Sequence, residues 1–430
     1  MNLSDSEIVS SIMSDSGYDL TDTADNADVI FLNTCSVREN AEKTIFKRLE
    51  QIKSRKKQNN KLVVGVLGCM AERLRSKLTI DNDLVNLVVG PDQYRQVPAL
   101  VDNALGGEKG IAVRLSRVET YEDIPPLRTE GISAWISIMR GCNNFCAFCV
   151  VPYTRGRERS RGLRSVVNEA SRLWNEGFKE ITLLGQNVNS YIDKENGLDF
   201  ADLLAQTAEA VPGMRIRYTT SHPKDMSDKL IETMAQYDNI CEYIHLPVQS
   251  GSDKVLDAMN RGYTADHYLG RIVKIRELMP DCALSTDIIA GYPGETEEDH
   301  RMTLDILREV RYEGAYMFKY SPREGTKAYK LEDDVPDDVK QRRLSEIIGL
   351  QHKIARELNE SELGNIHEVL VEGESKKDPG EWQGRTGTNK VVVFPNHDRK
   401  YKTGDKIHVK IERSTSATLI GNVTKHENAF

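Results

Sequence analysis

The sequence predicts an α/β protein of three domains. Residues 1–105 are expected to form a parallel sheet between helices, and a linker over 106–131 leads to a partial (β/α)6 barrel over 132–362. A small β-barrel over 363–426 follows it. Two observations predict this order. Apolar strand-like runs alternate with helical runs through the first two domains, and the hydrophobic period changes to two in the third.

The first domain contains three apolar runs typical of buried strands, at residues 27–34, 62–68 and 84–90. Ser4 and Glu7 have the spacing of a helix capping box ahead of them. Cys35 and Cys69 each follow directly after a strand. Because ligands collect at the carboxyl ends of parallel strands, the two cysteines predict a shared metal site. The alternative is a pair of small buried thiols.

Six strand-and-helix repeats make up the second domain. The predicted strands are residues 134–140, 180–187, 215–221, 243–250, 283–292 and 315–321. Polar loops follow them at residues 141–149, 185–187, 220–222, 247–251, 291–296 and 320–326. Active sites of parallel barrels lie at the carboxyl ends of the strands. Polar loops that directly follow all six strands therefore predict one site at that end.

Three cysteines lie in the first of these loops, with the spacing C-x3-C-x2-C: Cys142, Cys146 and Cys149. Three thiolates on one short loop suit three corners of an iron–sulfur cube, whose fourth iron then stays open to chelate a small molecule. The alternative is a structural zinc loop. Zinc in such sites usually takes four protein ligands, and no fourth cysteine or histidine lies nearby.

Composition excludes several classes of protein. The 430 residues carry a net charge of −8, and no apolar run approaches the roughly 20 residues that span a bilayer. The acidic first residues lack the features of a signal peptide. Seven cysteines, three of them at ligand spacing, fit a reducing cytosol, so a cytoplasmic location without a membrane is expected. The net charge still leaves room for a local basic patch.

Five arginines follow the cysteine loop within ten residues: Arg155, Arg157, Arg159, Arg161 and Arg164. Their charge and fork geometry match phosphate oxygens, which predicts RNA binding. The alternative is a solvated loop of ion pairs, since Glu158 lies inside the run. A second basic run at residues 53–61 is expected to be plain surface.

The last part of the chain begins with a long charged helix over residues 336–364, which is expected to pack on the barrel. Short period-two runs follow at residues 367–371, 390–394 and 406–412. Small β-barrels of this kind often bind oligonucleotides, and others only dock against their own protein.

Four stretches carry a resemblance to a known family: GCNNFCAFCVVPYTRG at 141–156, LLGQNVNSY at 183–191, LPVQSGS at 246–252 and GYPGET at 291–296. The sequence resembles the methylthiotransferases of the radical S-adenosylmethionine (SAM) superfamily along its whole length. That family has an N-terminal methylthiotransferase domain, a radical SAM core and a C-terminal TRAM domain. The stretches 149–158 and 384–394 are most similar to members that act on N6-dimethylallyladenosine in tRNA.

The resemblance implies methylthiolation of C2 of N6-(dimethylallyl)adenosine at position 37 of tRNA. A [4Fe-4S] cluster on Cys142, Cys146 and Cys149 is expected to bind SAM and split it into methionine and a 5′-deoxyadenosyl radical, which takes hydrogen from C2. A second [4Fe-4S] cluster, with Cys35 and Cys69 as two of its three cysteine ligands, is expected to provide the sulfur. A second SAM methylates that sulfur.

The chain departs from the family pattern at its amino end. The family's first ligand of the second cluster lies in a Gly-Cys-Gln-Met-Asn stretch, of which Met1 and Asn2 match only the last two residues. The natural start is therefore expected upstream, and the 430-residue form is expected to cleave SAM but to lack a ligand needed for sulfur insertion. Equal methylthiolation with and without an added cysteine would contradict this expectation.

Polar side chains at the strand ends are predicted to contact SAM: Gln186, Asn187, Ser221, Gln249, Ser250 and Arg323. For Arg323 the alternative is an ion pair with Glu324. Four further residues of the core are expected to be structural: His222, His245, Cys241 and Cys282.

The expected partners are the tRNA anticodon stem-loop, an electron donor of unknown identity and an iron–sulfur carrier, and the chain itself is expected to be a monomer. The target adenosine has to leave its stack to be modified. One alternative function is a sibling methylthiotransferase for N6-threonylcarbamoyladenosine in tRNA or for an aspartate of a ribosomal protein; the arginine run favours RNA. Another is a non-catalytic, metal-stabilised RNA-binding protein.

Overall fold

The computed structural model describes residues 1–36, 39–80, 83–128, 131–375, 378, 380–396 and 401–424. They form an N-terminal parallel sheet, a six-stranded open barrel and a closed C-terminal barrel. This architecture confirms the predicted fold class. None of the helices in these ranges has the length and apolar character that crossing a bilayer requires.

The N-terminal sheet has four parallel strands in the order β1-β2-β3-β4. They are β1 (Val29–Thr34), β2 (Val63–Gly68), β3 (Leu87–Val89) and β4 (Gly110–Ala112). The helices are α1 (Asn2–Asp15), α2 (Glu39–Gln58), α3 (Cys69–Leu74), α4 (Lys77–Ile80) and α5 (Val97–Leu105), with a 3-10 turn at Tyr94–Gln96. Strand β4 lies within the residues that the sequence assigned to a linker.

Two small cores cover the two faces of this sheet. Val63 and Leu67 of β2 pack with α1 and α5, whereas Val64 and Val66 pack with α2 and α3. Side chains alternate between the faces of a strand, so a strand buried on both faces is apolar throughout. That is why the three central runs were recognisable from sequence.

The open barrel contains six parallel strands, all of which the sequence predicted. They are β5 (Ser133–Ser137), β8 (Glu180–Leu184), β9 (Arg215–Thr219), β10 (Tyr243–His245), β11 (Ala283–Ala290) and β12 (Gly314–Lys319). Two sheets, β5-β8-β9 and β10-β11-β12, meet at a parallel bridge between Ile216 and Ile240. The short antiparallel pair β6 (Met139–Arg140) and β7 (Arg159–Ser160) brackets the cysteine loop.

Helices cover the outside of the open barrel. They are α6 (Val151–Thr154), α7 (Leu163–Asn175), α8 (Phe200–Ala210), α9 (Asp228–Gln236), α10 (Asp253–Ala258), α11 (Ala265–Leu278), α12 (Glu297–Val310) and α13 (Asp337–Glu360). Short 3-10 turns occur at Val188–Ser190, Pro223–Asp225 and Ala328–Lys330. Side-chain caps begin most of the longer helices, as at Asp199, Ser227, Thr264 and Thr296, where an oxygen accepts from the backbone N–H three residues on.

The C-terminal barrel closes in the strand order β13-β14-β15-β17-β16. Its strands are β13 (Ile366–Glu374), β14 (Glu381–Arg385), β15 (Val391–Pro395), β16 (Lys406–Ser414) and β17 (Leu419–Val423). Inward-facing residues such as Val369, Val392 and Val409 form its core. Helix α13 leads directly into it, as predicted.

Two buried arginines of β9 dock the C-terminal barrel. Arg215 donates to the carbonyl of Arg385 at 2.7 Å and to Glu368 at 2.8 Å. Arg217 donates to the carbonyls of Thr386 and Gly387 and to the Glu180 carboxylate. Arg215 and Glu180 begin β9 and β8, so the C-terminal barrel covers the amino ends of these strands. The cysteine loop lies at the opposite, carboxyl end.

The substitution Arg217→Met is expected to release the C-terminal barrel from the core. It removes three donors and leaves the Glu180 carboxylate buried and unpaired, at a cost of about 3–5 kcal/mol. Calorimetry should then show an earlier, separate transition for the C-terminal barrel, and a protease should cut near the end of α13. Arg413→Met removes an exposed arginine of the same barrel and serves as the control. A single transition at the wild-type temperature in both variants would contradict the prediction.

Candidate active site

The cysteine loop is held by backbone contacts on both sides. Gly141 has φ +80°, and a Cβ there would lie 2.1 Å from the carbonyl oxygen of Arg157. The Cys142 N–H donates to the Gly156 carbonyl at 3.1 Å, and the Ala147 N–H donates to the Met259 carbonyl at 2.8 Å. The loop is therefore fixed between the residues that follow it and the far side of the barrel.

The three thiols of this loop lie close enough to influence one another. Burial raises the pKa of Cys142 to about 11, and the negative charge of Cys146 adds to the effect. Burial, then the charge of Cys146, raises the pKa of Cys149 to about 12. Metal ligation requires thiolates, so a bound metal has to displace these protons.

The arrangement of the three thiols can be compared with the needs of a single metal ion and of an iron–sulfur cluster. Within the described ranges, no three His, Cys, Asp or Glu side chains converge closely enough to hold one metal ion. An iron–sulfur cube places each cysteine on a different iron, so its ligands need not converge on a single point. Three thiols on one loop match three corners of such a cube.

Arg261 is a residue of this site that sequence reasoning missed. Its Nη1 donates to Cys146 Sγ at 3.3 Å, and its Nη2 donates to the Pro247 carbonyl at 2.8 Å. The Tyr263 hydroxyl accepts from Nε at 3.1 Å. The guanidinium is thus buried and fixed beside a ligand thiol. An arginine 115 residues beyond Cys146 gives no signal in the sequence.

Four of the predicted SAM contacts carry buried polar atoms without a hydrogen-bond partner among the described residues. The atoms are Gln186 Nε2, Asn187 Oδ1, Ser221 Oγ and Gln249 Oε1. Buried polar groups are normally paired, so unpaired ones at the mouth of a barrel indicate a polar ligand. Donors and acceptors are both present, which fits the amino, carboxylate and hydroxyl groups of SAM.

Gln186 also supports the loop. Its Oε1 accepts from the Gly141 N–H at 2.6 Å, which leaves Nε2 for a ligand. Asn187 is fixed in the same way, because its Nδ2 donates to Asp225 at 2.7 Å. One atom of each side-chain amide therefore orients the side chain, and the other remains available to bind a ligand.

Ser250 and Arg323 have different surroundings from the other four predicted contacts. The Ser250 hydroxyl lies 3.4 Å from Thr303 Oγ1 and accepts from the Ser252 N–H, so its contacts belong to the junction with α12. Arg323 lies 4.0 Å from Glu42 of the N-terminal domain, and Glu324 pairs with Lys77. Arg323 thus faces the boundary between the two domains.

The two histidines differ in their environment. Burial, with Arg261 and Lys224 nearby, lowers the pKa of His222 to about 2, so its ring is neutral. Its Nδ1 accepts from the Lys224 N–H, which puts the proton on Nε2, and this atom is buried without a described partner. His245 lies between Ser285 and Asp287 inside the barrel. Of the two, His222 has an atom available to a ligand.

Cys35 and Cys69 lie side by side at the carboxyl edge of the N-terminal sheet. They directly follow Thr34 and Gly68, which are paired in the register of β1 and β2. Arg155 Nε donates to Cys69 Sγ at 3.2 Å. The edge of this sheet therefore meets the segment that follows the cysteine loop.

The five arginines after the loop divide into two groups. Arg155, Arg159 and Arg161 are buried and ion-paired with Asp5, Asp92 and Glu169, respectively, at 2.6–2.8 Å. Arg157 and Arg164 are exposed. The predicted RNA contact needs correction for the three buried arginines, because their donors are already used within the protein. Ion pairing with carboxylates of other segments, rather than a strand period, thus separates the two groups.

Comparisons with known proteins agree with this arrangement. The Radical SAM superfamily model matches residues 136–307, the TRAM domain model matches 360–424, and the Uncharacterized protein family UPF0004 model matches 1–90. A tRNA-2-methylthio-N(6)-dimethylallyladenosine synthase from Chloroherpeton thalassium is 57% identical over 98% of this chain and 93% of its own length. The synthase of the same name from Phocaeicola vulgatus is 54% identical with the same coverage.

The chain belongs to this synthase family. The resemblance expected from the motifs is therefore confirmed, and with it a radical SAM enzyme that uses SAM and iron–sulfur chemistry. A solved structure, the radical SAM methyltransferase TsrM from Kitasatospora setae, shares the fold with a TM-score of 0.58. It is 16% identical and covers 75% of this chain and 73% of its own.

Proposed function

We propose that this protein methylthiolates C2 of N6-(dimethylallyl)adenosine at position 37 of tRNA. The observation that carries the proposal is that three cysteines share one loop at the barrel mouth, where four buried polar atoms lack a described partner. The relatives' shared name supplies the substrate class. The cytoplasm, where tRNA is modified, is the proposed location.

Cys142, Cys146 and Cys149 would hold the [4Fe-4S] cluster. With SAM bound, that cluster would supply the electron for reductive cleavage of SAM, and the resulting radical would take hydrogen from C2. The protein's own residues orient and shield these groups. Arg261 donates to Cys146, and Gln186 anchors Gly141. The open atoms of Gln186, Asn187, Ser221 and Gln249 are proposed to bind SAM.

Cys35 and Cys69 are proposed as two ligands of an auxiliary cluster. Their adjacent positions and the donor from Arg155 suit thiolate ligands. Because the described residues bring only these two cysteines together, no reaction step is assigned to that cluster.

Arg157 and Arg164 are proposed to contact the anticodon stem-loop of tRNA, because they are exposed beside the cysteine loop. The docked TRAM domain is proposed to hold another part of the same RNA. An electron donor and an iron–sulfur carrier are proposed as protein partners, with the enzyme itself acting as a monomer. The sibling methylthiotransferases for other substrates remain the alternative, and the names of the relatives favour dimethylallyladenosine.

The test is anaerobic reconstitution of the full chain with iron and sulfide. Wild type is expected to bind iron and, with dithionite as the source of electrons, to convert SAM to 5′-deoxyadenosine. Cys142→Ala is expected to lose both properties, because two thiolates cannot hold the cube. Cys282→Ala removes a buried thiol that lies at the amino end of β11 and is expected to keep both. Equal iron binding by the two variants would refute the assignment of Cys142.

The substrate is tested by mass spectrometry of nucleosides from dimethylallylated tRNA. The assay uses the reconstituted full chain with SAM and dithionite as the reductant. The 2-methylthio product is expected. A product only on threonylcarbamoylated tRNA would favour the sibling activity, and SAM-independent RNA binding without any cleavage would favour the non-catalytic alternative.

A further inference from the structure

Two aromatic rings and one guanidinium meet on the cysteine loop and the segment that follows it, where Tyr153 and Arg157 are exposed and Phe145 is half-buried. We call Phe145, Tyr153 and Arg157 the aromatic platform. The Arg157 guanidinium carbon lies 4.2 Å from the Phe145 ring centroid. The Phe145 and Tyr153 rings meet edge to face, with centroids 6.0 Å apart. Tyr153 is 43% exposed. Phe145 lies between the ligand positions Cys142 and Cys146.

The backbone of Phe145 is strained, and a residue from another part of the chain holds it in place. Its φ is +50°, a conformation that bulky residues rarely adopt. Asn260 compensates by donating its Nδ2 to the carbonyls of Asn144 and Phe145, both at 3.0 Å. Strain of this kind is typical of functional sites, since surrounding contacts must maintain it. Asn260 therefore holds the backbone that carries the ring.

The backbone of Arg157 is held in place, whereas its guanidinium group remains available for a ligand. Its carbonyl oxygen packs against Gly141, where a Cβ would approach to 2.1 Å. Its neighbour Glu158 is turned to Asn143, accepting from that residue's N–H at 3.0 Å and from its Nδ2 at 3.2 Å. No carboxylate is paired with Arg157 in the described part of the chain. Its donors are thus available beside an aromatic face.

We infer that the aromatic platform stacks an unpaired base of the anticodon loop next to the target adenosine. Single-stranded RNA loops are recognised by stacking of bases on aromatic rings and guanidinium planes, with arginine donors on the phosphates. The net charge of −8 makes a local cationic, aromatic surface beside the reaction centre unusual for this protein. Phe145 lies between two of the loop cysteines, so the platform borders the proposed reaction centre, where a nucleotide flanking the extruded adenosine is expected. This inference rests on the proposed tRNA substrate.

The test measures binding of a dimethylallylated anticodon stem-loop to the reconstituted, SAM-bound protein. Stacking on one aromatic ring contributes about 1–3 kcal/mol, so Tyr153→Ala should weaken binding about 5- to 150-fold. Tyr153→Trp keeps a ring and should bind within about threefold of wild type. Arg157→Lys keeps the charge but loses the plane and should fall between. Tyr18→Ala alters a tyrosine after α1, away from the carboxyl edge of the sheet, and should bind like wild type.

A second readout reports stacking directly. 2-Aminopurine placed beside the target adenosine should be quenched by the wild type and bright with Tyr153→Ala, while iron content stays equal. Equal binding or equal quenching by wild type and Tyr153→Ala would overturn the proposal that a base stacks on the aromatic platform. Equal weakening by Tyr18→Ala would do the same. Failure of the wild type itself to bind the stem-loop would instead overturn the proposed function, so the two failures are distinguishable.

Discussion

Asp5→Asn is expected to lower the free energy of unfolding by about 3–5 kcal/mol, because it leaves two buried guanidinium groups without their counter-charge. The Asp5 carboxylate accepts from Arg140 and from Arg155, each at 2.6 Å. Arg140 directly precedes the cysteine loop and Arg155 closely follows it. The loss is therefore expected to loosen the N-terminal domain from the core. Denaturant unfolding of the reconstituted protein measures the effect.

Stability below neutral pH gives a second signature of the same carboxylate. Burial alone would raise the pKa of Asp5, but the charges of Arg140 and Arg155 outweigh it and the pKa is lowered. A carboxyl whose folded pKa lies below its unfolded value of about 3.9 stabilises the fold above that pH. This contribution is lost as the pH falls through the lowered pKa. Wild type should thus lose stability in acid more steeply than Asp5→Asn.

Asp15→Asn is the matched control for both measurements. Asp15 ends the same helix, α1, and is exposed. Its replacement should change the free energy of unfolding by less than about 0.5 kcal/mol. If Asp5→Asn were no more destabilising than Asp15→Asn, the two arginines would not depend on this carboxylate.

Gly141→Ala is expected to abolish iron binding and SAM cleavage while the rest of the chain stays folded. An alanine at φ +80° costs roughly 1–2 kcal/mol, and its Cβ would overlap the Arg157 carbonyl. That carbonyl belongs to backbone already fixed by the Cys142–Gly156 hydrogen bond. The loop must therefore move, which displaces Cys142 from the other two thiols. Iron content and 5′-deoxyadenosine formation measure the loss, which should exceed about tenfold.

Substitutions at two other glycines distinguish backbone strain from steric overlap as the cause of the lost iron binding. Gly197 has φ +69°, and a Cβ added there would meet no atom within 4 Å, so Gly197→Ala tests backbone strain alone. Gly162 has neither a positive φ nor a neighbour, so Gly162→Ala should be silent. Normal iron content in all three variants would show that the loop tolerates a Cβ at Gly141. A loss in Gly197→Ala as large as in Gly141→Ala would point to general destabilisation.

Local patterns in the sequence predicted the six strands of the open barrel and three of the four N-terminal strands, but they missed β4, β14 and β17. Strand β2 is apolar throughout because helices cover it on both faces. The Ser4–Glu7 spacing was misleading, since α1 begins at Asn2 and Ser4 is buried within it. Ser4 therefore lies inside the first turn of the helix, and no side chain caps the helix start.

Such patterns could not predict contacts between residues that are far apart in the sequence. Asp5 meets Arg140 and Arg155 across 135 and 150 residues, and no periodicity links these positions. The same holds for Arg261 beside Cys146. The arginine run shows the limit most clearly, because five similar residues divide into three buried and two exposed ones according to the carboxylates that other segments bring to them.

The sequence by itself determined the three-domain order, the cysteine spacing and the family, because each rests on residues close together in the chain. Only the tertiary structure decided which polar atoms at the barrel mouth remain unpaired and which arginines face solvent. Burial and ion pairing depend on partners from separate segments, so they exist only once the N-terminal sheet has packed against the open barrel. The cysteine loop is thus defined by its sequence, and its surroundings are defined by the fold.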